Sequence, residues 1–149
     1  MSSTKISQAE AEKLLKMLKH SLVSEIDFPS AGNGIEFNVI GDRRQDMFAV
    51  NIFRGKINHL KYNIGARIIK NGILLLELHI NPSNIHWNPD GEKITGSHWH
   101  IYSEKYGRSY AFPAEEISSE RFVENTIAFL DKFNVIAKPK INYQTEILS

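Results

Sequence analysis

The sequence predicts an α+β protein: an antiparallel sheet of five or six strands, with an N-terminal and a C-terminal helix on one face. Two observations carry this. Runs of alternating apolar residues follow one another across short turn sequences, as antiparallel neighbours do. Stretches with apolar residues at helical spacing stand only at the two ends. At 149 residues, a single domain spanning 1–149 is expected. A hydrophobic content of 42 % is enough for that domain to build a core without staples.

The elements follow in order. Ser7 with Glu10 three residues on has capping-box spacing, and Leu14, Leu15, Leu18 and Leu22 continue a helical stripe, so a helix is expected over about 8–24. The breakers in FPSAGNG end it. Strands are expected in IEFNVIG and MFAVNIFRG, joined by a hairpin turn at GDRRQD. INHLKYNIGARII alternates next, placing His59, Lys61, Asn63 and Arg67 on one face. Asn71-Gly72 marks a tight hairpin of type I′. The returning strand ILLLELHI has Leu74, Leu76, Leu78 and Ile80 on its core side, with Glu77 and His79 opposite. Residues 81–97 form a 17-residue irregular connection, long for a compact domain. Its Ile85 and Trp87 are expected to be buried, folding it over the polar sheet face. HWHIYSE and RSYAFP are the next strands. Ser118 or Ser119 caps a second helix with the stripe Phe122, Ile127, Leu130 and Phe133, ending near Asn134. INYQTEIL could add a last edge strand.

Composition excludes several chemistries. No cysteine is present, so there is no disulfide, zinc ribbon or thiolate nucleophile. The N-terminus lacks an apolar signal region and no run reaches membrane-spanning length, so a cytoplasmic protein without membrane association is expected. The net charge of +1 exerts no global pull toward nucleic acid. Residues 42–70 nevertheless carry seven basic side chains against two acidic ones, which reads as a solvated face or a local anion-binding one. Phosphate-cradling, dinucleotide and nucleophile-elbow motifs are absent, and no cofactor is expected.

The chemistry concentrates in NIHWNPDGEKITGSHWHIYSEKYG, which holds three of the six histidines and both tryptophans. Strand alternation puts His98, His100, Tyr102 and Glu104 on one face and Trp99 and Ile101 on the other. His98 and His100 are therefore the centre of the candidate site, with Tyr102 and Lys61 or Arg67 as supports. At least one of the pair should titrate below 6.5 beside positive charge. Three readings stay open. A polar histidine face on a non-catalytic module that binds a protein partner comes first. A metal-independent endoribonuclease comes second, with RNA as substrate, His98, His100, Tyr102, Lys61 and Arg67 as its catalytic set and Arg108 as a further cation of the same face. A metal site comes third: His98 and His100 lie about 6.5–7 Å apart at Cα on one face, and His86 or Asp90 could complete the set.

The run from His86 to Pro113 resembles a family of small bacterial and prophage-borne proteins of unknown function. The shared core reads H-x-N-P-D-G-x-x-I-x-G-x-H-x-H-I-Y, then Y-G and A-x-P. Here it is carried by His86, Asn88, Pro89, Asp90, Gly91, Ile94, Gly96, His98, His100, Ile101, Tyr102, Tyr106, Gly107, Ala111 and Pro113. The likeness extends over most of the chain. It implies a bacterial or mobile-element setting, in which toxin-like, defence or counter-defence roles are at home, and it assigns no activity.

Overall fold

Ser7 caps the first helix through its Oγ, which accepts the Glu10 N–H at 3.1 Å. In the computed structural model, which describes residues 5–143, this helix α1 is Gln8–Lys16 and stops well short of residue 24. Met17 already has an extended ψ of 134°, and the chain turns into β1 (Lys19–Ser21) and β2 (Glu25–Asp27). Leu18 and Leu22, the continuation of the leucine stripe, are exposed. Tertiary contacts override the helical spacing here. Buried Lys19 donates from Nζ to the carbonyls of Leu15, Met17 and Phe133, tying the end of α1 to the end of the second helix.

The remaining elements are β3 (Gly34–Ile40), β4 (Met47–Arg54), β5 (Tyr62–Ile68), β6 (Leu74–Ile80), β7 (His86–Trp87), β8 (Lys93–Ile94), β9 (His98–Ile101), β10 (Ala111–Pro113), α2 (Phe122–Lys132), β11 (Val135–Ala137) and β12 (Lys140–Asn142). The main sheet has the order β10-β9-β6-β5-β4-β3-β1-β11. The six strands expected from alternation are all present as β3–β6, β9 and β10, and they are antiparallel neighbours. The expected count of five or six is nonetheless low. Among the described residues the sheet has eight strands, because β1 joins β3 and then pairs β11 in parallel. β12 pairs β2 in a separate parallel ribbon. Residues 144–148 of the expected last strand lie outside the described residues.

Both helices contribute to one core, with Ala11 and Leu14 from α1 and Phe122, Phe129 and Leu130 from α2. They meet the sheet side chains Val50, Ile52, Ile64, Leu76, Leu78 and Trp99. The α2 N-cap is Arg121 rather than a serine and makes no side-chain capping bond. Ile127 is partly exposed, while Asn134 ends the helix region with φ 62°. The β5–β6 turn is longer than a type I′ turn. Gly72 takes φ 77° but Asn71 does not, and Ile68 donates to the Ile73 carbonyl at 2.9 Å across residues 69–72.

The basic run at 42–70 disperses rather than forming one anion face. Arg54 is buried on the core side, over Phe122, with its guanidinium bonded to the carbonyls of His59 and Pro29. Arg43 pairs with Asp46 and Arg67 with Glu36. His59 lies in the exposed turn before β5, away from the strand face. Among the described residues no helix is long and apolar enough to cross a membrane.

Candidate functional site

The polar face of β6 and β9 assembles the site. Antiparallel register sets Glu77 opposite His100 and His79 opposite His98. Alternation then points all four side chains to the face away from the helices. The ring centroids of His79, His98 and His100 are mutually 4.8–5.1 Å apart. One ligating nitrogen from each of the three lies within 4.8 Å of the others. His86, from the β7–β8 hairpin, brings a fourth ring to 5.5 Å from His98 and 4.9 Å from His100.

Each ring has one nitrogen committed to an oxygen that can only accept. His98 Nδ1 faces the Gly96 carbonyl at 3.0 Å, and His100 Nδ1 faces the Arg108 carbonyl at 2.7 Å. His86 Nε2 faces the Ser109 carbonyl at 2.8 Å and Asn88 Oδ1 at 3.0 Å. His79 Nε2 faces the Glu77 carboxylate at 3.2 Å. A proton must sit on the bonded nitrogen, which fixes the tautomer of each ring in its neutral form and then leaves the other nitrogen with a free lone pair. Those four nitrogens have no hydrogen-bond partner among the described residues, and all four rings line one open pocket of about 580 Å³.

Charge in the site is balanced behind the rings. Burial works against the Glu77 carboxylate, but hydrogen bonds from His79 and Arg108 outweigh it and hold its pKa below the ordinary value. Arg108 grips it through Nε at 2.7 Å and through a second nitrogen. His98 and His100 both titrate below their ordinary range, His100 at about 4. Burial is the main cause in both; the neighbouring imidazoles add to it. His98 and His100 are thus neutral at pH 7.

The irregular connection 81–97 is organised by Asn88. Its Oδ1 accepts the Ala111 N–H at 2.7 Å, and its Nδ2 donates to the Ala111 carbonyl at 2.9 Å and to Glu92 at 3.2 Å. Asn88 is buried while its neighbours Ile85 and Trp87 are exposed, the reverse of the expected burial; Trp87 keeps 62 % of its surface. Ile94 supplies the apolar anchor instead. Asp90 lies on the turn, bonded to Tyr110, with Gly91 at φ 92°.

Of the residues singled out from sequence, His98, His100, His86 and Lys61 line the pocket together. Lys61 Nζ donates to Ser83 Oγ at 3.0 Å. Arg67 faces an adjacent depression and is paired with Glu36. Tyr102 is not with the histidines. β9 ends at Ile101, Tyr102 leaves the alternation, and its ring is 5 % exposed in the core with its hydroxyl at the backbone of Ile6. His79 joins His98 and His100 as the third convergent ring. Alternation placed it on the polar face, but the β6–β9 pairing that brings it to them is not written in local sequence. Asn88 gave no signal as an organiser beyond its place in the motif that carries the resemblance, and Arg108, expected only as a cation of the polar face, instead holds Glu77 and aims His100.

No curated protein and no solved structure matches the chain. The family model for DUF6978, a family of unknown function, matches residues 6–135. The chain therefore belongs to this family of unknown function, and the histidine pocket lies within the matched region.

Proposed function

We propose that the protein binds a divalent transition metal of the zinc class through His79, His98 and His100. The observation that supports this most directly is the tautomer pattern. Three imidazoles that bring a ring nitrogen each to within 4.8 Å of one another also each commit one nitrogen to a carbonyl or carboxylate, which leaves the other nitrogen of a neutral ring free to ligate. Metal-ligating histidines are oriented in this way by their outer partners. Tetrahedral zinc with bonds of about 2.0–2.1 Å sets nitrogens roughly 3.3 Å apart. The rings need to close from the present 4.8 Å, a movement within the reach of side-chain rotation. Three protein ligands leave a coordination position open to the pocket, as in zinc sites that act on a further ligand. The His86 ring, 4.9 Å from that of His100, lines the same pocket.

The metal-independent ribonuclease reading draws less support. Tyr102 is buried away from the pocket, and the Arg67 charge is engaged by Glu36. The metal reading assigns a ligand and not a reaction, so it is compatible with a non-catalytic role.

The test is metal uptake by the full chain after exhaustive chelation and dialysis. Zinc or nickel should raise the melting temperature, by about 2.7 kcal/mol of stability when the free metal is 100 times its Kd. His98→Ala with His100→Ala should abolish the shift, and His79→Ala should weaken it; His20→Ala should leave it intact. Cobalt(II) on the wild-type protein should give the visible bands of tetrahedral nitrogen coordination, a readout that needs no variant to fold. A chain that retains no metal and shows neither shift nor spectrum would refute the proposal.

A further inference from the structure

The pocket runs from the histidines to an exposed tryptophan, and its lining has a marked charge character. Among the described residues, no aspartate or glutamate lines it. Lys61 faces it with the neutral Ser83 hydroxyl as its partner among the described residues, and the Arg108 charge is balanced by Glu77 behind the wall. The imidazoles are uncharged donors, so a bound divalent ion would keep its full charge. The cavity therefore favours an anion.

The rim asks for something else. Trp87 and Ile85 are the large apolar side chains left exposed at this mouth, 62 % and 48 %. Trp87 is not a loose end. It is held in the β7–β8 hairpin, whose Asn88 is bolted to Ala111 by two hydrogen bonds, and Lys93 stands 5.9 Å from its ring centre. An exposed indole on an anchored hairpin, beside a cation, is a stacking platform. At about 580 Å³ the pocket has the size of a small-ligand site.

We infer that the pocket binds a nucleoside phosphate, the phosphate directed to the open metal position and Lys61 and the base stacked on Trp87. This rests on the metal reading for the phosphate end and on Trp87 and Lys61 independently of it. A free mononucleotide and a single strand share this chemistry, and the experiment separates them.

The full chain, with and without zinc, is titrated with adenosine monophosphate, with a short single-stranded oligonucleotide and with inorganic phosphate, by calorimetry and tryptophan fluorescence. Trp99 is buried against Phe129, so an exposed-tryptophan quench reports Trp87. The expected result is binding with quenching by a nucleotide probe, and weaker binding without quenching by phosphate. Trp87→Ala should weaken nucleotide binding by roughly ten-fold or more. Lys61→Met should weaken it and reduce its salt dependence. Tighter binding of the oligonucleotide than of the mononucleotide identifies a strand as the ligand; the reverse identifies a free nucleotide. If the zinc-loaded protein binds neither probe, or binds equally well without Trp87, the inference falls while the metal site stands. If zinc is not taken up but the metal-free chain binds nucleotide through Trp87 and Lys61, the metal reading falls and the ligand class stands. If neither metal nor nucleotide binds, both fall.

Discussion

Replacing Asn88 by alanine isolates the contact that ties the histidine hairpin to the sheet. The amide satisfies both the N–H and the carbonyl of Ala111, a residue with no exposed surface. Truncation leaves both backbone groups without their partner, at about 1–3 kcal/mol each when buried. Water entering the vacated space offsets part of this, so a net loss of about 2–4 kcal/mol is expected. For a chain of this length that corresponds to roughly 5–15 °C in melting temperature. Asn88→Asp should be as harmful, because the acceptor at Ala111 N–H survives but a second oxygen then faces the Ala111 carbonyl. Urea denaturation, with the slope checked for constancy, measures the loss. His86 also loses a partner, so zinc-dependent stabilisation measured in parallel should change little, since the three convergent rings are held by other groups. An Asn88→Ala protein within 0.5 kcal/mol of wild type would refute the clamp.

Two further perturbations address the core. Tyr62, 1 % exposed and bonded to Asn125 and Ser119, has its hydroxyl pushed up to about 12 by burial. The unfolded chain ionises this group near 10, so stability from it is complete below pH 10 and falls as pH rises toward 12. The loss is about 2–3 kcal/mol, and Tyr62→Phe should flatten that part of the alkaline limb in urea midpoints. Lys19 is lowered to about 7, burial being the chief cause. Between about 7 and 10.5 the unfolded chain then holds the extra proton, and wild-type stability should rise with pH across that window. Lys19→Met should lack the rise. It should also be destabilised at pH 7 by about 2–4 kcal/mol, because the Met17 and Phe133 carbonyls lose their donor; a neutral result by denaturant midpoint would show those bonds to be dispensable.

The strands that face one another across short turns were legible because alternation and turn residues are local. β1 and β11 were not. Each is three residues long, and they pair in parallel across more than a hundred residues, so nothing near either segment announces the partner. The leucine spacing after Leu15 persists past the end of α1, which Lys19 terminates through a contact with Phe133 that no window of local sequence contains. A bulge explains the error in β6. Ala66 pairs with Leu76 and Arg67 with Leu74, so Leu75 is the extra residue and turns to the core while Leu74 does not. The histidine face was readable from H-x-H alternation. What alternation could not supply is the β6–β9 register that adds His79, or the exposure of Trp87, since burial of the hairpin is achieved by a polar residue, Asn88.

The short segment Arg108–Ser109 reaches three of the four rings. The Arg108 carbonyl aims His100, the Ser109 carbonyl aims His86, and the Arg108 guanidinium holds the Glu77 that aims His79. It follows Gly107, whose φ of 61° closes a turn pinned by two hydrogen bonds to Ser103. Ring orientation is consequently a shared coordinate rather than three separate ones. A displacement of this segment turns His79, His86 and His100 together, while His98, held by Gly96, stays behind. The segments at Gly96 and after Gly107 are thus two supports of unequal reach. A residue inserted after Gly107 would misalign most of the cluster in one step, while leaving every histidine in the chain.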